Sequence, residues 1–581
     1  MKKGIALLLA LVMLVSIFAG CAKKEETPAE AETPEATEEK TTEAEKPEEP
    51  AEEEKESEEA PAEESAEDDY LKIQLPLNDT LSGLKSTFIN GIYPMYQWMF
   101  DTLMRYDTDT GEFIPALAEK LDISEDGLVY TVTLRDATFH DGTPITADDV
   151  VFTFTTAICG SMGRVSKLSA IEGFEAASAG EADTVSGIQK VDDKTVTFTL
   201  TQPNSVFVEA LANGTFGIIP SAYFEGMTAA EINEDAAFWE KPVGSGAYYV
   251  SETAYPNYIV LTAYPDYYEP SGIETIVATY YADKESANTA LIAGELDYII
   301  GLEEEAATNV LNQNPDLVGI PMDTSYHRWF LVNTSGTAGD QPSHPSLQNP
   351  RVRHAIDMLL DKDAICQLYG SLASPLTTHV NSNSPEYNSD IPTWTRDVEG
   401  AKQILEEENF DFDTPIRIYS HYTNQITADF MELVVQNLAE GGVQATYTMD
   451  NNSQAYLESA NYDFRYMATS SMLPTAFYEM NSIAGLSTTI RSSYPEGAEF
   501  EAYQKARYDD LITAYKATLD PAEQKEIMDQ LQYNGYEDMY DINLYSVGSY
   551  NIYSSRWTGM PVFSSDYSEV AAYKFSNWKL N

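Results

Sequence analysis

The chain has 581 residues, enough to bury large cores and to build two or more lobes, and 43% of them are hydrophobic, an ordinary share for a globular protein. Its charge is not ordinary: 34 Lys and Arg stand against 94 Asp and Glu, a formal net of −60. Such a surface repels phosphate backbones and anionic headgroups, which argues against nucleic acid as a partner; its plain reading is solubility or a salty habitat, its sharper one a field favouring cationic ligands.

Met1 to Cys21 reads as a targeting segment. Lys2 and Lys3 precede an apolar run, Ile5 to Phe18, too short and wrongly flanked for a durable membrane span. Ala19-Gly20-Cys21 has the small-small-Cys pattern of a lipobox, so Cys21 is expected to carry a diacylglycerol and anchor the chain. The alternative is a secreted protein with a chance Cys there. Residues 22–69 follow as an acidic tether without a single aromatic; 22 acidic residues and three Lys lie between Glu25 and Asp69. A segment so poor in apolar groups cannot offset its ordering entropy and is expected to be disordered. Fully extended it would reach roughly 160 Å.

Folded chain is expected from Tyr70, whose run to Leu75 reads as a strand, and Tyr93 to Met104 reads as an apolar helix. Tyr96 and Trp98 are better placed in a core than on a ligand platform. Residues 105–202 read as a small inserted lobe, and its clearest stretch begins at Ser124. Leu128, Tyr130, Val132 and Leu134 alternate with Val129, Thr131, Thr133 and Arg135, a half-buried strand entered by the turn Asp126-Gly127. After the turn Asp141-Gly142-Thr143-Pro144, Thr146 and Asp149 form a capping box ahead of Val150, Val151, Phe152 and Phe154. A hairpin around Asp192-Asp193 carries Val196, Phe198 and Leu200.

From Pro203 the pattern changes. A strand at Ile276–Tyr280, a helix at Lys284–Ala293 closed by Gly294 and a strand at Leu296–Ile300 make a βαβ unit, hence part of a parallel sheet. A further lobe begins near Tyr326. It holds a helix from Pro350 to Leu360 and a second βαβ unit: Ile416 to Tyr419, Thr427 to Glu440 stopped by Gly441-Gly442, then Val443 to Met449. Helices are expected from about Phe500 to Tyr515 and from Pro521 to Met539, then a strand from Asp541 to Tyr545.

Motifs for chemistry are weak. No G-x-S-x-G or H-E-x-x-H occurs, and none of the six His pairs at i, i+4. Ser82-Gly-Leu-Lys85 lacks its partner motifs, and Asp107-Thr-Asp-Thr-Gly-Glu112 has the glycine one position early for a calcium loop. Pro242-Val-Gly-Ser-Gly246 leads into a strand and lacks the P-loop Lys, so a tight turn is preferred over a phosphate cradle. Cys159 and Cys366 are expected to be isolated, mostly buried thiols. No metal or other cofactor is implied, and no enzyme activity; what remains is a binding site, for which 38 Tyr and six Trp supply walls.

Taken together, the stretch 124–154 resembles the signature of the family-5 extracellular solute-binding proteins, the peptide- and nickel-type receptors of ABC importers. Phe100-Asp-Thr-Leu, Pro115-Ala-Leu-Ala-Glu119, Pro242-Val-Gly-Ser-Gly-Ala-Tyr248, Ala293-Gly-Glu-Leu-Asp297 and Arg351-Val-Arg-His-Ala-Ile356 are similar to that family's landmarks, in its order. The resemblance implies an α/β, periplasmic-binding-protein-like type II (cluster C) fold: two large α/β lobes with a hinge plus a small inserted lobe. Its parts would be lobe I at 70–104, 203–325 and 546–581, lobe II at 105–202 and lobe III at 326–545. It implies an extracellular or periplasmic, lipid-anchored monomer that captures a peptide or other small solute and delivers it to an ABC permease with a cytosolic ATPase. A metal chelate, a sugar or a signalling peptide are alternative ligands, and an anchored hydrolase or an adhesin are alternative classes. The resemblance points to cleft segments at Ile300-Gly301, at Tyr326, Arg328 and Trp329, and at Ser470, Ser471 and Met472, with Asn78 and Asn424 as further candidates. In peptide receptors the third segment typically carries an Asp for the peptide's amino terminus. Here no Asp precedes Glu479, which stands as its substitute or else marks a ligand without that amine.

Overall fold

The alternating run ahead of Arg135 forms the strand Val129–Leu134, with Tyr130, Val132 and Leu134 buried and Gly127 at φ +69° in the turn before it. This and all that follows comes from a computed structural model describing residues 69–75, 93–254, 257–322, 326–338, 341–382, 384, 386–452, 461–469, 502–561 and 571–581. The chain divides between Ala66 and Glu67, and every described residue belongs to the second unit. The targeting segment, nearly all of the tether and the Ser82–Lys85 motif lie outside the described residues.

The strand sits in a four-stranded antiparallel sheet ordered Ala118–Ile123, Val129–Leu134, Thr195–Thr199, Ile188–Asp192. The helix Ala147–Cys159 begins at Thr146 as the capping box predicts, Asp149 Oδ2 accepting the Thr146 N–H at 2.8 Å. Asp149 does more: its Oδ1 accepts the Ser221 N–H at 2.9 Å, so one carboxylate both caps the helix and ties down a distant segment. Phe154 lies edge-on to Phe198, their ring centroids 5.0 Å apart, which fastens helix to sheet.

The helix expected over 93–104 ends at Met99. Packing at its carboxyl end explains the early stop. The Pro242–Gly246 turn lies flat against it, Gly246 N–H donating to Met99 O at 2.8 Å. A Cβ on Gly244 would sit 2.0 Å from Met99 O, and one on Gly246 would sit 2.3 Å from Trp98 O. The glycine-rich phrase is therefore a site of close backbone approach. His140 completes the knot: its Nδ1 accepts the Gly244 N–H at 3.0 Å and its Nε2 donates to Gly246 O at 2.9 Å. Asp107 and Asp109, in the turn with a calcium-loop look, both accept from Lys574 Nζ.

Two larger sheets carry the rest. One has seven strands, in the order Leu317–Met322, Ser549–Ser554, Tyr298–Leu302, Leu71–Leu75, Thr275–Tyr280, Tyr258–Ala263, Tyr248–Thr253. The expected βαβ unit is there: Thr275–Tyr280 and Tyr298–Leu302 flank Leu71–Leu75, both parallel to it, joined by the helix Lys284–Ala293 with Gly294 left-handed at φ +77°. Asp297, 2% exposed, receives the Lys72 N–H at 2.8 Å and Arg556 Nε and Nη2 at 2.7 and 2.6 Å. The Asp of the Ala-Gly-Glu-Leu-Asp phrase is thus a clasp between the first strand and the chain's return.

The other large sheet has six strands, ordered Ala373–Pro375, Asp541–Val547, His327–Val332, Phe464–Thr469, Ile416–Ser420, Ala445–Met449. The second βαβ unit is also present, Ile416–Ser420 lying parallel to Ala445–Met449 with the helix Gln425–Glu440 between them in sequence. Arg353, from the 351–356 phrase, is 1% exposed and donates to the carbonyls of Leu347, Gln348, Asp538 and Met539, closing the end of the Pro521–Asp538 helix. The expected helix near residues 500–515 runs over 502–517, with a π-helical stretch at Lys505–Asp509. Cys159 and Cys366 are free thiols.

The chain crosses between the two large sheets twice, side by side. It leaves the seven-stranded sheet at Met322 and enters the six-stranded one at His327; it leaves that at Val547 and returns at Ser549. Met322 pairs with Ser549, and the Val547 N–H donates to Tyr326 O at 3.2 Å. A Cβ on Gly548 would come 2.7 Å from Met322 O, so the crossing point is closed by a glycine.

Candidate functional site

Tyr326 and Arg328 lie beside this crossing. Alternation along the His327–Val332 strand sends Arg328 and Phe330 to one face and His327, Trp329 and Leu331 to the other. Phe330 enters the core against Phe430 and Phe464. Arg328 instead meets tyrosines: its guanidinium carbon lies 4.2 Å from the ring centroid of Tyr422, 5.0 Å from that of Tyr326 and 5.2 Å from that of Tyr466. Tyr466 and Tyr545 share a hydroxyl hydrogen bond of 2.6 Å, and Tyr369 stacks on Tyr545 at 4.5 Å. Burial by itself would lower the Arg328 pKa; the oxygens of Tyr466, Tyr326, Tyr545 and Tyr422 outweigh it and hold the guanidinium above its ordinary value. Arg328 Nη1 is buried and has no hydrogen-bond partner, and among the described residues no carboxylate pairs with this cation.

His421 and Arg465 lie at the next strands of the sheet, Arg465 pairing with Leu331 and so pointing to the face away from Arg328. His421 follows the Ile416–Ser420 strand and packs its ring 3.9 Å from Tyr422. Burial, then Arg465, then Arg328 push its pKa below the ordinary histidine value. Arg465, 4% exposed, hydrogen-bonds the Tyr462 hydroxyl. The sequence gives no sign of Tyr369, Tyr422, Tyr466 and Tyr545, because strand pairing brings them together across as many as 176 positions of chain, and one sequence carries no trace of that pairing. The only hint is that Tyr466 and Arg465 follow the expected Tyr462-Asp463 phrase. Asp463 itself is fully taken up: it is unexposed and accepts from Arg417 Nε and Nη2, Arg417 N–H and His344 N–H.

The other candidates divide. Gly301, at φ +76°, sits where the pairing of Tyr298–Leu302 with Ser549–Ser554 shifts register, and its N–H donates to Asn551 Oδ1 at 3.3 Å. Ile300 beside it is half-buried against the core. Because Leu302 pairs with Tyr550 and Met322 with Ser549, this bulge comes to the crossing as Tyr326 does. Trp329 is 2% exposed and lies edge-on to His379 at 5.1 Å, on the face away from Arg328. His379 in turn stands 3.0 Å from His327 Nε2 and 3.3 Å from Asp541 Oδ2, a buried polar chain behind the strand. Asn424 is the N-cap of Gln425–Glu440, its Oδ1 accepting the Thr427 N–H at 3.2 Å, so its side chain serves the helix. Asn78, Ser470, Ser471, Met472, Glu479 and Cys21 lie outside the described residues.

With this geometry in hand, comparison with known proteins identifies the fold and the family. The model of the bacterial extracellular solute-binding proteins, family 5, matches residues 112–490. The di/tripeptide-binding protein 2 of Pseudomonas aeruginosa is 28% identical over 343 residues, 57% of this chain and 61% of the relative. The dipeptide-binding protein of Escherichia coli K12 is 25% identical over 452 residues, 75% of this chain and 81% of the relative. Among solved structures, the ABC transporter substrate-binding protein CtaP of Listeria monocytogenes superposes with a TM-score of 0.72 at 22% identity, over 88% of this chain and 99% of that one. The likeness bears out the expected periplasmic-binding-protein fold.

Proposed function

Because the chain belongs to the bacterial extracellular solute-binding proteins of family 5, we propose that it is the substrate-binding protein of an ABC peptide importer, tethered to the membrane through a lipid on Cys21. In this reading the two passages of chain between the large sheets, after Met322 and at 547–549, act as its hinge, and the lobes are the bodies built on those sheets. A peptide bridging them shifts the population toward the closed form, which docks on the permease. Its work is binding; hydrolysis of ATP belongs to the cytosolic partner. Names of relatives that bind dipeptides and tripeptides support the ligand class.

The observation that carries this reading is Arg328. A cation that is mostly buried, ringed by tyrosines that keep it charged and left with an unpartnered Nη1, has a donor placed to receive something anionic. A peptide carboxylate fits by charge and by planar two-oxygen geometry. A pool of short peptides should raise the melting temperature, by about 2.7 kcal/mol of stabilisation at a hundred times Kd, and Arg328→Met should abolish the rise. No rise in the wild type would overturn the peptide reading. Fatty-acid labelling of the wild type but not of Cys21→Ser tests the anchor; equal labelling would remove it.

A further inference from the structure

Ser205 joins the two bodies through a contact that shares no residue with the crossings. Its segment is held to the core of the four- and seven-stranded sheets. The Tyr130 hydroxyl donates to Asn204 O at 2.7 Å, and Phe207, in one buried cluster with Leu71, lies edge-on to Tyr130 at 5.0 Å. The other side of the contact is the carboxyl end of the helix Asp510–Ala517, which leads through Pro521–Asp538 into the strand Asp541–Val547 of the six-stranded sheet. A helix end leaves its last carbonyls without partners inside the helix. Ser205 answers two of them: its N–H donates to Lys516 O at 2.8 Å, and its hydroxyl donates to Tyr515 O at 3.2 Å. The same hydroxyl accepts from Gln524 Nε2 at 2.9 Å. Val206 beside it packs on the buried cluster of Ile512, Tyr515 and Met528. A different bridge lies at the crossing itself, where Glu304 accepts the Ser371 hydroxyl at 2.7 Å and Leu372 O accepts the Gly548 N–H at 3.0 Å. Bonds that close to a hinge change little when the bodies turn about it; the Ser205 contact is the kind that a rotation parts.

We propose that Ser205 is a latch, a positioning residue that caps the helix of the opposite body only when the bodies are together and so sets how long a bound solute stays. The proposal rests on the two-lobe receptor reading and deepens it. When the bodies part, Tyr515 O and Lys516 O pass to water, so no polar group is left buried and unmade, and the contact forms and breaks without unfolding. The donated and the accepted hydroxyl bond each favour the closed form by about a factor of five. A solute already inside waits for them to break, so they act on dissociation and not on encounter.

Dissociation of tri-alanine from the full chain should quicken about tenfold in Ser205→Ala, with the association rate within about twofold of the wild type. Gln524→Ala removes the accepted bond from the other body, so the double mutant should fall short of the product of the two single effects. Hydrogen exchange supplies a readout without ligand. The Ser205 N–H should be protected about a hundredfold less than that of Val277 inside the seven-stranded sheet, through an opening short of global unfolding, and bound tri-alanine should slow its exchange. Easy opening with no binding of tri-alanine would keep the latch and sink the peptide reading. A Ser205 N–H protected as well as that of Val277, exchange that bound tri-alanine leaves unslowed, a fully multiplicative double mutant, or unchanged dissociation from Ser205→Ala overturns the latch while the peptide reading stands.

Discussion

The His140 knot and the Arg328 corner are built from similar parts and end in opposite states. At His140 both ring nitrogens are used, one on Gly244 N–H and one on Gly246 O, and the neighbouring glycines let the backbone close over it. At Arg328 the buried Nη1 is left without a partner. In the first region both imidazole nitrogens are answered inside the chain, so the region is a fastening. In the second a donor is left over, and in the reading proposed above the ligand is what answers it. The family's recurring phrases fall on the first kind: Asp149, Gly244, Gly246, Asp297 and Arg353 are all fully engaged within the fold.

Breaking a fastening should cost stability and leave the corner's chemistry alone. The largest effect is expected at Asp297, where Asp297→Ala strands Arg556 and frees the Lys72 N–H, a loss of about 3–5 kcal/mol by the usual cost of halving a buried pair. Denaturant melts would show it; a change under about 1 kcal/mol would mean the clasp is idle. Next comes pH. Burial drives the His140 pKa down to about 4 from an ordinary value near 6.5. The unfolded chain therefore binds the extra proton across that window, and stability present above about pH 6.5 is lost as pH falls toward 4, by up to about 3 kcal/mol. Melting temperatures of the wild type and His140→Gln should converge over this range; parallel curves would refute the assignment. The smallest effect on stability is expected at the receptor corner. Arg328→Met trades ring contacts of the guanidinium for an apolar side chain of similar length, so stability should stay within about 1 kcal/mol of the wild type, while peptide binding is lost.

How much of this could be read in advance follows the same division. The capped helix at Thr146, the Lys284–Ala293 helix with its glycine stop and both βαβ units are local patterns, and they appear where periodicity and capping chemistry place them. The helix from Tyr93 stops early because a loop some 145 residues downstream packs on its end, which no local pattern records. The corner is less legible still. Resemblance alone points to Arg328, but what surrounds it is Tyr422 and Tyr466, supplied by segments that meet only after folding. Trp329 and Asn424, expected in the cleft on the same grounds, turn to other tasks, one behind the sheet and one at a helix start.

The strand Ser549–Ser554 slots between Leu317–Met322 and Tyr298–Leu302. A growing chain therefore cannot finish its first large sheet from its own early residues; a gap stays open in it until some 250 later positions have been made. The six-stranded sheet, whose last strand ends at Val547, has all its pieces just before that gap is filled. Assembly then runs in reverse of chain order: the body begun first is completed last, and a ribosome stalled before residue 549 would release a protein with one sound half and one unable to close.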